Sequence, residues 1–267
     1  MKKTSTLSIA VLLIAVFLFS FSLVSADGET TLVVGFDQDF PPYGYIGEDG
    51  EFTGYDLDLA AAVAEKLGLE VVYQPIAWDA KDMELDSGTI DLIWNGFTIN
   101  GREDKYEWTE AYKDAGQIIL VKSDSGIETF ADLAGKVVAV QTDSAALEAL
   151  ESEDFAELTA SFADLLVVEQ YNAAFMDLEA GAVDAIALDI DVANYQIEGK
   201  EDSYKILDEW IQEEQYGVGF KLGNTELRDK VQAALEEIVA DGTFAEISEE
   251  WFGYDSCVLS VCQSAGE

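Results

Sequence analysis

The chain has 267 residues, 49% hydrophobic and 11% aromatic, which is enough apolar material to bury a sizeable core. Its net charge of -40 repels phosphate backbones and argues against a nucleic-acid partner. It has no histidine, which excludes Ser-His-Asp and Cys-His catalysis and histidine zinc sites.

A signal peptide is predicted at the N-terminus. Lys2 and Lys3 precede an apolar stretch over residues 7–24, and residues 24–26 (Val-Ser-Ala) have the small side chains that signal peptidase accepts. We therefore predict a signal peptide over residues 1–26 and an exported protein, soluble in the periplasm or cell-surface space after cleavage. The apolar stretch is also long enough for an uncleaved membrane anchor, which is the alternative.

Strands and helices alternate after this segment. The β-branched run 31–34 ends at Gly35 and predicts a buried strand. Over residues 55–67 apolar residues recur at every fourth position and Gly68 follows, which predicts a helix with a glycine C-cap. Strand character returns over residues 69–73. This alternation predicts an α/β fold with mostly parallel sheets covered by helices.

An internal repeat divides the chain into two similar halves. Residues 85–93 (LDSGTIDLI) and 178–186 (LEAGAVDAI) share the pattern L-x-x-G-x-[IV]-D-x-I. We expect each copy to end a helix at its glycine and to start a strand. The sequence therefore predicts two α/β lobes of similar construction.

Ligands of parallel α/β sheets bind beyond the carboxyl ends of the strands, so two facing lobes would share one cleft. The segments that follow predicted strands are residues 37–43, 94–102, 141–145 and 188–191.

Two opposite charges lie in these segments. Arg102 can bind a carboxylate with a bidentate fork, and Asp189 can accept an ammonium group. Together they would hold a zwitterion, the backbone of every free α-amino acid. The alternatives are a surface ion pair of Arg102 with Glu103 or Asp104, and a helix-cap role for Asp189.

Other polar and aromatic residues adjoin them. Gln141, Thr142 and Ser144 precede a predicted helix over residues 145–150, where they could bind an anion or simply cap the helix. Asp37 could receive a cationic or amide group of a ligand. The aromatic residues that could wall a pocket, or belong to the core instead, are Phe40, Tyr43 and Trp78.

The C-terminal region is predicted to contain an amphipathic helix over residues 225–242. Beyond it, Cys257 and Cys262 are separated by four residues. In an exported protein this favours a local disulfide over a metal site with two ligands.

Several stretches resemble one family. The run 54–67 (GYDLDLAAAVAEKL) is similar to the signature of the bacterial extracellular solute-binding proteins of family 3, which serve polar amino-acid ABC transporters. The similarity extends over about residues 30–254. The further matching stretches are residues 40–43 (FPPY), 88–91 (GTID), 93–99 (IWNGFTI), 135–138 (GKVV), 241–243 (DGT) and 251–253 (WFG).

The resemblance implies a type II periplasmic-binding fold, in which two lobes close on the ligand about two hinge strands near residues 112–116 and 212–216. It implies lobe 1 over residues 30–111 and 217–254, lobe 2 over residues 112–216, and a tail over residues 255–267.

The resemblance also implies roles for residues. Arg102 matches the family arginine that grips the ligand carboxylate, although the loop from Thr98 to Arg102 is one residue shorter than the commonest family pattern. Asp189 matches the ammonium acceptor. The full set of candidate ligand-binding residues is Asp37, Phe40, Trp78, Asn95, Gly96, Thr98, Arg102, Gln141, Thr142, Ser144 and Asp189.

The function expected from these features is capture of a free polar amino acid outside the cytoplasmic membrane by a monomer, and its presentation to an ABC permease. No catalysis, metal or cofactor is expected. The alternatives are an exported dehydratase-like enzyme on the same fold and an amino-acid sensor ectodomain. Asp37 hints at a basic or amide-bearing ligand, but cystine or another polar amino acid is equally compatible.

Overall fold

The computed structural model describes residues 30–264, so the predicted signal peptide over residues 1–26 lies outside the described residues. Within residues 30–264 no helix is long and apolar enough to cross a membrane. The strands are β1 (Thr31–Phe36), β2 (Asp39–Phe40), β3 (Gly44–Ile46), β4 (Phe52–Thr53), β5 (Glu70–Pro75), β6 (Leu92–Ile93), β7 (Glu107–Trp108), β8 (Lys113–Lys122), β9 (Val137–Gln141), β10 (Asp164–Val168), β11 (Ala185–Asp189), β12 (Tyr204–Tyr216) and β13 (Gly219–Phe220).

Helices occupy much of the remaining described chain. The α-helices are α1 (Tyr55–Leu67), α2 (Lys81–Ser87), α3 (Ala145–Leu150), α4 (Ala156–Ser161), α5 (Tyr171–Ala180), α6 (Ile190–Ile197), α7 (Thr225–Ala240), α8 (Thr243–Phe252) and α9 (Ser260–Ser264). Short 3₁₀ helices cover Trp78–Ala80, Phe130–Leu133, Glu153–Phe155 and Glu201–Ser203.

The strands form two five-stranded sheets of the same design. The first has the order β5-β1-β6-β13-β7 and the second the order β10-β9-β11-β8-β12. In the first sheet β13 runs against the other four strands, and in the second sheet β8 does so. The predicted α/β fold with two lobes of mostly parallel sheet is thus confirmed. A small antiparallel sheet, β2-β3-β4, accompanies them.

Helix α1 shows why the elements form where the sequence places them. Its apolar residues Leu59 and Val63 are fully buried, because their spacing puts them on one face of the helix. Gly68 adopts a left-handed conformation with φ 70° and ends the helix, as the sequence predicts. The predicted helix over residues 55–67 is confirmed.

The internal repeat has one structure in both lobes. Gly88 and Gly181 end α2 and α5 in left-handed conformations with φ 76° and 73°. The repeat aspartate then fixes the neighbouring strand in each lobe. Asp91 Oδ2 accepts a hydrogen bond from the Val33 N–H at 2.7 Å, and Asp184 Oδ2 accepts one from the Val137 N–H at 2.9 Å. Each copy therefore ends a helix and starts a strand, as predicted.

Two strands carry the chain between the sheets. β8 and β12 pair in antiparallel fashion, with Lys113 opposite Tyr216. At this end they adjoin the first sheet, because the Tyr112 N–H donates to the Tyr216 carbonyl at 2.9 Å and Thr98 forms a bridge with Tyr216. The chain leaves the first sheet before β8 and returns to it after β12.

The predicted amphipathic helix is α7, which ends at Ala240. Gly242 has φ 91°, closes this helix as predicted and separates α7 from α8. Beyond α8, a disulfide joins Cys257 to Cys262.

Candidate ligand-binding site

A small cavity of about 20 Å³ lies between residues of the two sheets. Its lining comes mainly from segments at the carboxyl ends of β1, β6, β9 and β11, where sheets of this kind bind ligands. The lining residues are Asp37, Phe40, Trp78, Asn95, Gly96, Thr98, Arg102, Gln117, Gln141, Ser144, Ala145, Tyr171 and Asp189.

The structure brings ten of the eleven candidate residues to this cavity, and Thr142 is the exception. The Thr142 N–H donates to the Val168 carbonyl at 2.8 Å, which extends the pairing of β9 with β10. Asp143 then turns the chain with φ 54°, so the residues that reach the cavity are Gln141 before the turn and Ser144 after it. Thr142 therefore does not line this cavity, and its role in ligand binding stays a prediction.

Asp37 lies directly after β1 and is held from both sheets. Its N–H donates to Asn95 Oδ1 at 2.9 Å, and its Oδ1 accepts from the Asp39 N–H at 2.9 Å. Its Oδ2 accepts from Gln141 Nε2 of the second sheet at 2.7 Å. Burial raises the pKa of the Asp37 carboxyl. The amide group that the sequence suggested for a ligand is thus supplied, in this structure, by Gln141.

Gly96 lines the cavity beside three aromatic rings. A Cβ atom there would come within 3.0–3.2 Å of the rings of Phe40, Tyr43 and Tyr216, and φ is 54°. The Gly96 N–H donates to Asp56, a fully buried residue of α1 that also accepts from the Tyr112 hydroxyl. Burial raises the pKa of Asp56 to about 7. Asp56 thus fixes the position of Gly96 in the cavity wall through this hydrogen bond.

Arg102 is a cleft residue rather than a surface cation. It is 3% exposed, its Nε lies 3.3 Å from Glu148 Oε2, and its Nη2 donates to the Asp143 carbonyl at 3.3 Å. Both partners belong to the segment after β9, on the second sheet. The guanidinium also lies 5.5 Å from the Phe97 ring centre. The alternative of a surface pair with Glu103 or Asp104 is wrong.

Asp189 is both a helix cap and a cavity residue. Its Oδ1 accepts from the N–H groups of Asp191 at 2.7 Å and Val192 at 3.1 Å at the start of α6. Its Oδ2 accepts from the Tyr216 hydroxyl. The carboxyl is 0% exposed, and burial, followed by repulsion from Asp191 and Glu214, raises its pKa well above the ordinary value.

Aromatic rings form the apolar walls. Phe40 stacks on Tyr43 at 5.7 Å between ring centres and lies 6.1 Å from Tyr171. Trp78 meets the Phe97 ring edge-on at 5.4 Å. These contacts fix the rings before any ligand arrives, which reduces the entropy lost on binding.

Gln117, in β8, is a cavity residue that the sequence analysis missed. Its Nε2 donates to Glu214 Oε1 at 2.6 Å, but its Oε1 is buried without a hydrogen-bond partner among the described residues. It lies opposite Asp189 in the pairing of β11 with β8. A buried amide oxygen of this kind is costly unless a donor reaches it. The sequence signal that could have identified Gln117 is a polar residue directly before the apolar run 118–121.

Asp143, which follows β9 of the second sheet, contacts three residues that pack on the first sheet. Its carbonyl accepts from Trp78 Nε1 at 3.1 Å as well as from Arg102, and its carboxylate pairs with Lys81. Lys81 is 2% exposed, and burial lowers its pKa. These contacts can exist only while the two sheets are close together.

The chemistry of the cavity suits binding of a small dipolar solute. It combines a guanidinium and a carboxylate from opposite sheets with stacked aromatic walls and a free amide acceptor. Within residues 30–264 no group of three or more carboxylate, cysteine or histidine residues is placed to hold a metal ion.

Comparison with known proteins agrees with this architecture. Over residues 32–254 the chain matches the family model described as bacterial extracellular solute-binding proteins, family 3. The L-cystine-binding protein TcyJ of Escherichia coli K12 is 32% identical over 228 residues, which cover 84% of each chain.

Two solved structures are also similar. One is an ABC uptake transporter substrate-binding protein from Streptococcus pneumoniae with bound histidine, at 35% identity and a TM-score of 0.82 over 86% of this chain and 95% of that one. The other is an ancestral arginine-binding protein bound to glutamine, at 36% identity and a TM-score of 0.77 over 85% and 99%. The chain belongs to the bacterial extracellular solute-binding proteins of family 3.

Proposed function

We propose that the protein binds a free amino acid in the cavity between its two sheets and delivers it to an ABC permease for uptake. One observation carries the proposal: Arg102 from one sheet and Asp189 from the other are both buried and both line one cavity. A zwitterion matches this pair, because its carboxylate and ammonium groups carry the opposite charges.

The relatives support this ligand class. The names of the three similar proteins refer to cystine, histidine, arginine and glutamine. These molecules differ in their side chains and share a free α-amino-acid backbone. The shared backbone matches the charged residues of the cavity, and the aromatic walls of the cavity can enclose side chains of different kinds.

We assign the contacts as follows. Arg102 holds the ligand carboxylate in a bidentate fork beside Gly96 and Thr98. Ser144 can donate its hydroxyl hydrogen to the same carboxylate, since its oxygen already accepts from the Leu147 N–H at 3.1 Å to cap α3.

The ammonium group has three hydrogens to place. Asp189 accepts one, and the unpartnered Oε1 of Gln117 accepts another. Phe40, Trp78 and Tyr171 enclose the side chain of the ligand, and Asp37 lies within reach of a polar group at its end.

Closure accompanies binding in this proposal. Residues 30–111 and 217–254 form one lobe, residues 112–216 form the other, and β8 and β12 are the hinge. Contacts between the lobes and contacts of the ligand to both lobes are made together, so the ligand shifts the population toward the closed state. The permease then receives a closed, loaded protein.

The protein works outside the cytoplasmic membrane. We propose that the signal peptide over residues 1–26 directs export and is removed, and that a single copy of the mature chain binds the ligand. The high negative charge fits this role, because mutual repulsion keeps copies apart and in solution.

A thermal-shift screen tests the proposal. The purified protein is heated with each of the twenty amino acids, cystine and ornithine. At least one compound should raise the melting temperature measurably at saturation, since a ligand that binds the folded state stabilises it. A melting temperature that none of them changes would contradict the proposed ligand class.

The enzyme alternative predicts a different result. A dehydratase on this fold would convert a keto or cyclic acid, with a product detectable by chromatography. The family assignment favours binding over catalysis. Turnover of such an acid by the purified protein would reverse that preference.

A further inference from the structure

The internal repeat extends further upstream than its nine-residue pattern. Residues 78–93 align with residues 171–186 without a gap, which pairs Trp78 with Tyr171. Both of these aromatic residues line the cavity. Each begins a helical segment that ends at the repeat glycine. The two segments are thus the same structural unit, once in each lobe, and each starts at the cavity.

The same position of both units carries an exposed methionine. Met83 lies five residues after Trp78 and is 65% exposed, and Met176 lies five residues after Tyr171 and is 70% exposed. The chain has three methionines, and the remaining one is Met1. Both internal methionines therefore occupy the same position of the repeat. A large apolar side chain that stays exposed to solvent contributes no hydrophobic stabilisation to the fold.

Methionine and its neighbours define the kind of partner that fits. Its side chain is unbranched and polarizable, and adapts to varied apolar surfaces, so methionine is enriched at interfaces. An acidic residue follows each one, Glu84 in the first lobe and Asp177 in the second. A second copy of this chain, at net charge -40, would be repelled. The partner should therefore offer apolar pockets with basic rims.

We propose that Met83 and Met176 are a matched pair of contacts for the ABC permease, one on each lobe. This inference rests on the proposed function. The repeat presents two related surfaces on this protein, so a partner that also has two related surfaces would match it. Each methionine lies roughly 8 Å along its helical segment from a cavity residue. Closure on the ligand therefore fixes the separation of the pair, and the permease can distinguish the closed protein from the open one.

Substitution of the pair tests the inference. Met83→Gln, Met176→Gln and the double variant keep side-chain length and remove apolar character. Ile46→Gln combined with Val167→Gln is the control, since Ile46 and Val167 are 48% and 46% exposed outside these segments. Ligand affinity is measured by calorimetry with the best amino acid of the screen. Docking is measured as ATPase stimulation of amino-acid ABC permease complexes of the source organism, reconstituted in lipid nanodiscs.

The double variant should need roughly tenfold more loaded protein for half-maximal stimulation, and each single variant roughly threefold more, as expected for apolar contacts at an interface. Ligand affinity should stay within about twofold of the wild type. The control variant should stimulate as the wild type does. A double variant with wild-type stimulation would overturn the inference alone. A loaded wild-type protein that stimulates no amino-acid permease would overturn the proposed function as well.

Discussion

Gln141 Nε2 donates a hydrogen bond to Asp37 Oδ2 at 2.7 Å, and this bond joins the second sheet to the first across the cavity. The acceptor is a buried carboxylate, so the bond is worth more than one between exposed groups. Its donor and acceptor can meet only when the lobes are close. In the proposed closure on the ligand, this bond favours the closed state.

Gln141→Ala should weaken amino-acid binding by about tenfold, because loss of a donor to a buried carboxylate costs about 1–3 kcal/mol. The measurement is isothermal titration with the amino acid found in the screen. Gln232→Ala is the control, since Gln232 Nε2 makes the same kind of bond, to Glu236 Oε1 at 2.9 Å, within α7 and outside the cavity lining and the hinge strands. Equal affinities for both variants would show that the bond to Asp37 does not stabilise the closed state.

Gln117→Met should also weaken binding by about tenfold, because it removes the free acceptor from the cavity and nearly preserves side-chain volume. Glu214 keeps a second donor, Gln212 Nε2 at 3.1 Å, so the fold should survive. Titration gives the affinity, and a melting curve without ligand controls for stability. If the variant binds as tightly as the wild type, no ligand group reaches the amide oxygen of Gln117.

Asp56 predicts an unusual dependence of stability on pH. Burial raises its pKa from 3.8 to about 7, so the folded state binds more protons than the unfolded chain between these values. Stability should then fall as the pH rises from about 4 to about 7. Protonation of surface carboxylates at low pH also relieves charge repulsion and so changes stability in the same direction. In 1 M NaCl this surface repulsion is screened, whereas the effect of a buried carboxyl is screened much less.

Melting temperatures at pH 5 and pH 7.5 in 1 M NaCl measure this effect. The wild type should melt at a higher temperature at pH 5, and Asp56→Asn should reduce the difference. Part of it should remain, because burial also raises the pKa of Asp37 and Asp189. Asp49→Asn, at an exposed turn residue, should keep it. A wild-type protein that is more stable at pH 7.5 would contradict the role of Asp56.

The sequence was sufficient for most of the fold and for the charged part of the site. Helix α1 could be predicted because its apolar spacing and its final glycine agree with each other. Arg102 and Asp189 could be predicted to line one cavity because both follow strands, and the carboxyl ends of the strands in two facing lobes border a shared cleft. The repeat predicted two lobes because its glycine and aspartate have the same local roles in both copies.

Residues whose roles depend on tertiary pairing could not be found in this way. Gln117 reaches the cavity because β8 is paired between β11 and β12, and that register is not readable from the sequence of β8. Asp56 resembles an ordinary acidic residue in the first turn of a helix, yet it is fully buried behind Gly96. Thr142 continues the pairing of β9 with β10 and does not line the cavity, whereas Ser144, beyond the left-handed residue Asp143, does.

Asp189→Asn separates recognition of the ammonium group from general binding. The variant should bind the amino acid more weakly, by about tenfold, because the amide carries no charge to attract the ammonium group. It should bind the deaminated analogue of the same amino acid as well as the wild type does. Titration of both compounds measures the difference. Equal losses for the two compounds would indicate that Asp189 acts through the cap of α6 instead.

Isothermal titration of Arg102→Ala with the amino acid tests the central claim most directly. Arg228→Ala is the matched control, because Arg228 pairs with Asp229 in a partly exposed position away from the cavity. The account predicts that Arg102→Ala weakens affinity more than tenfold, as expected from loss of a buried charged partner, while Arg228→Ala leaves it unchanged. An Arg102→Ala variant with wild-type affinity would contradict the account.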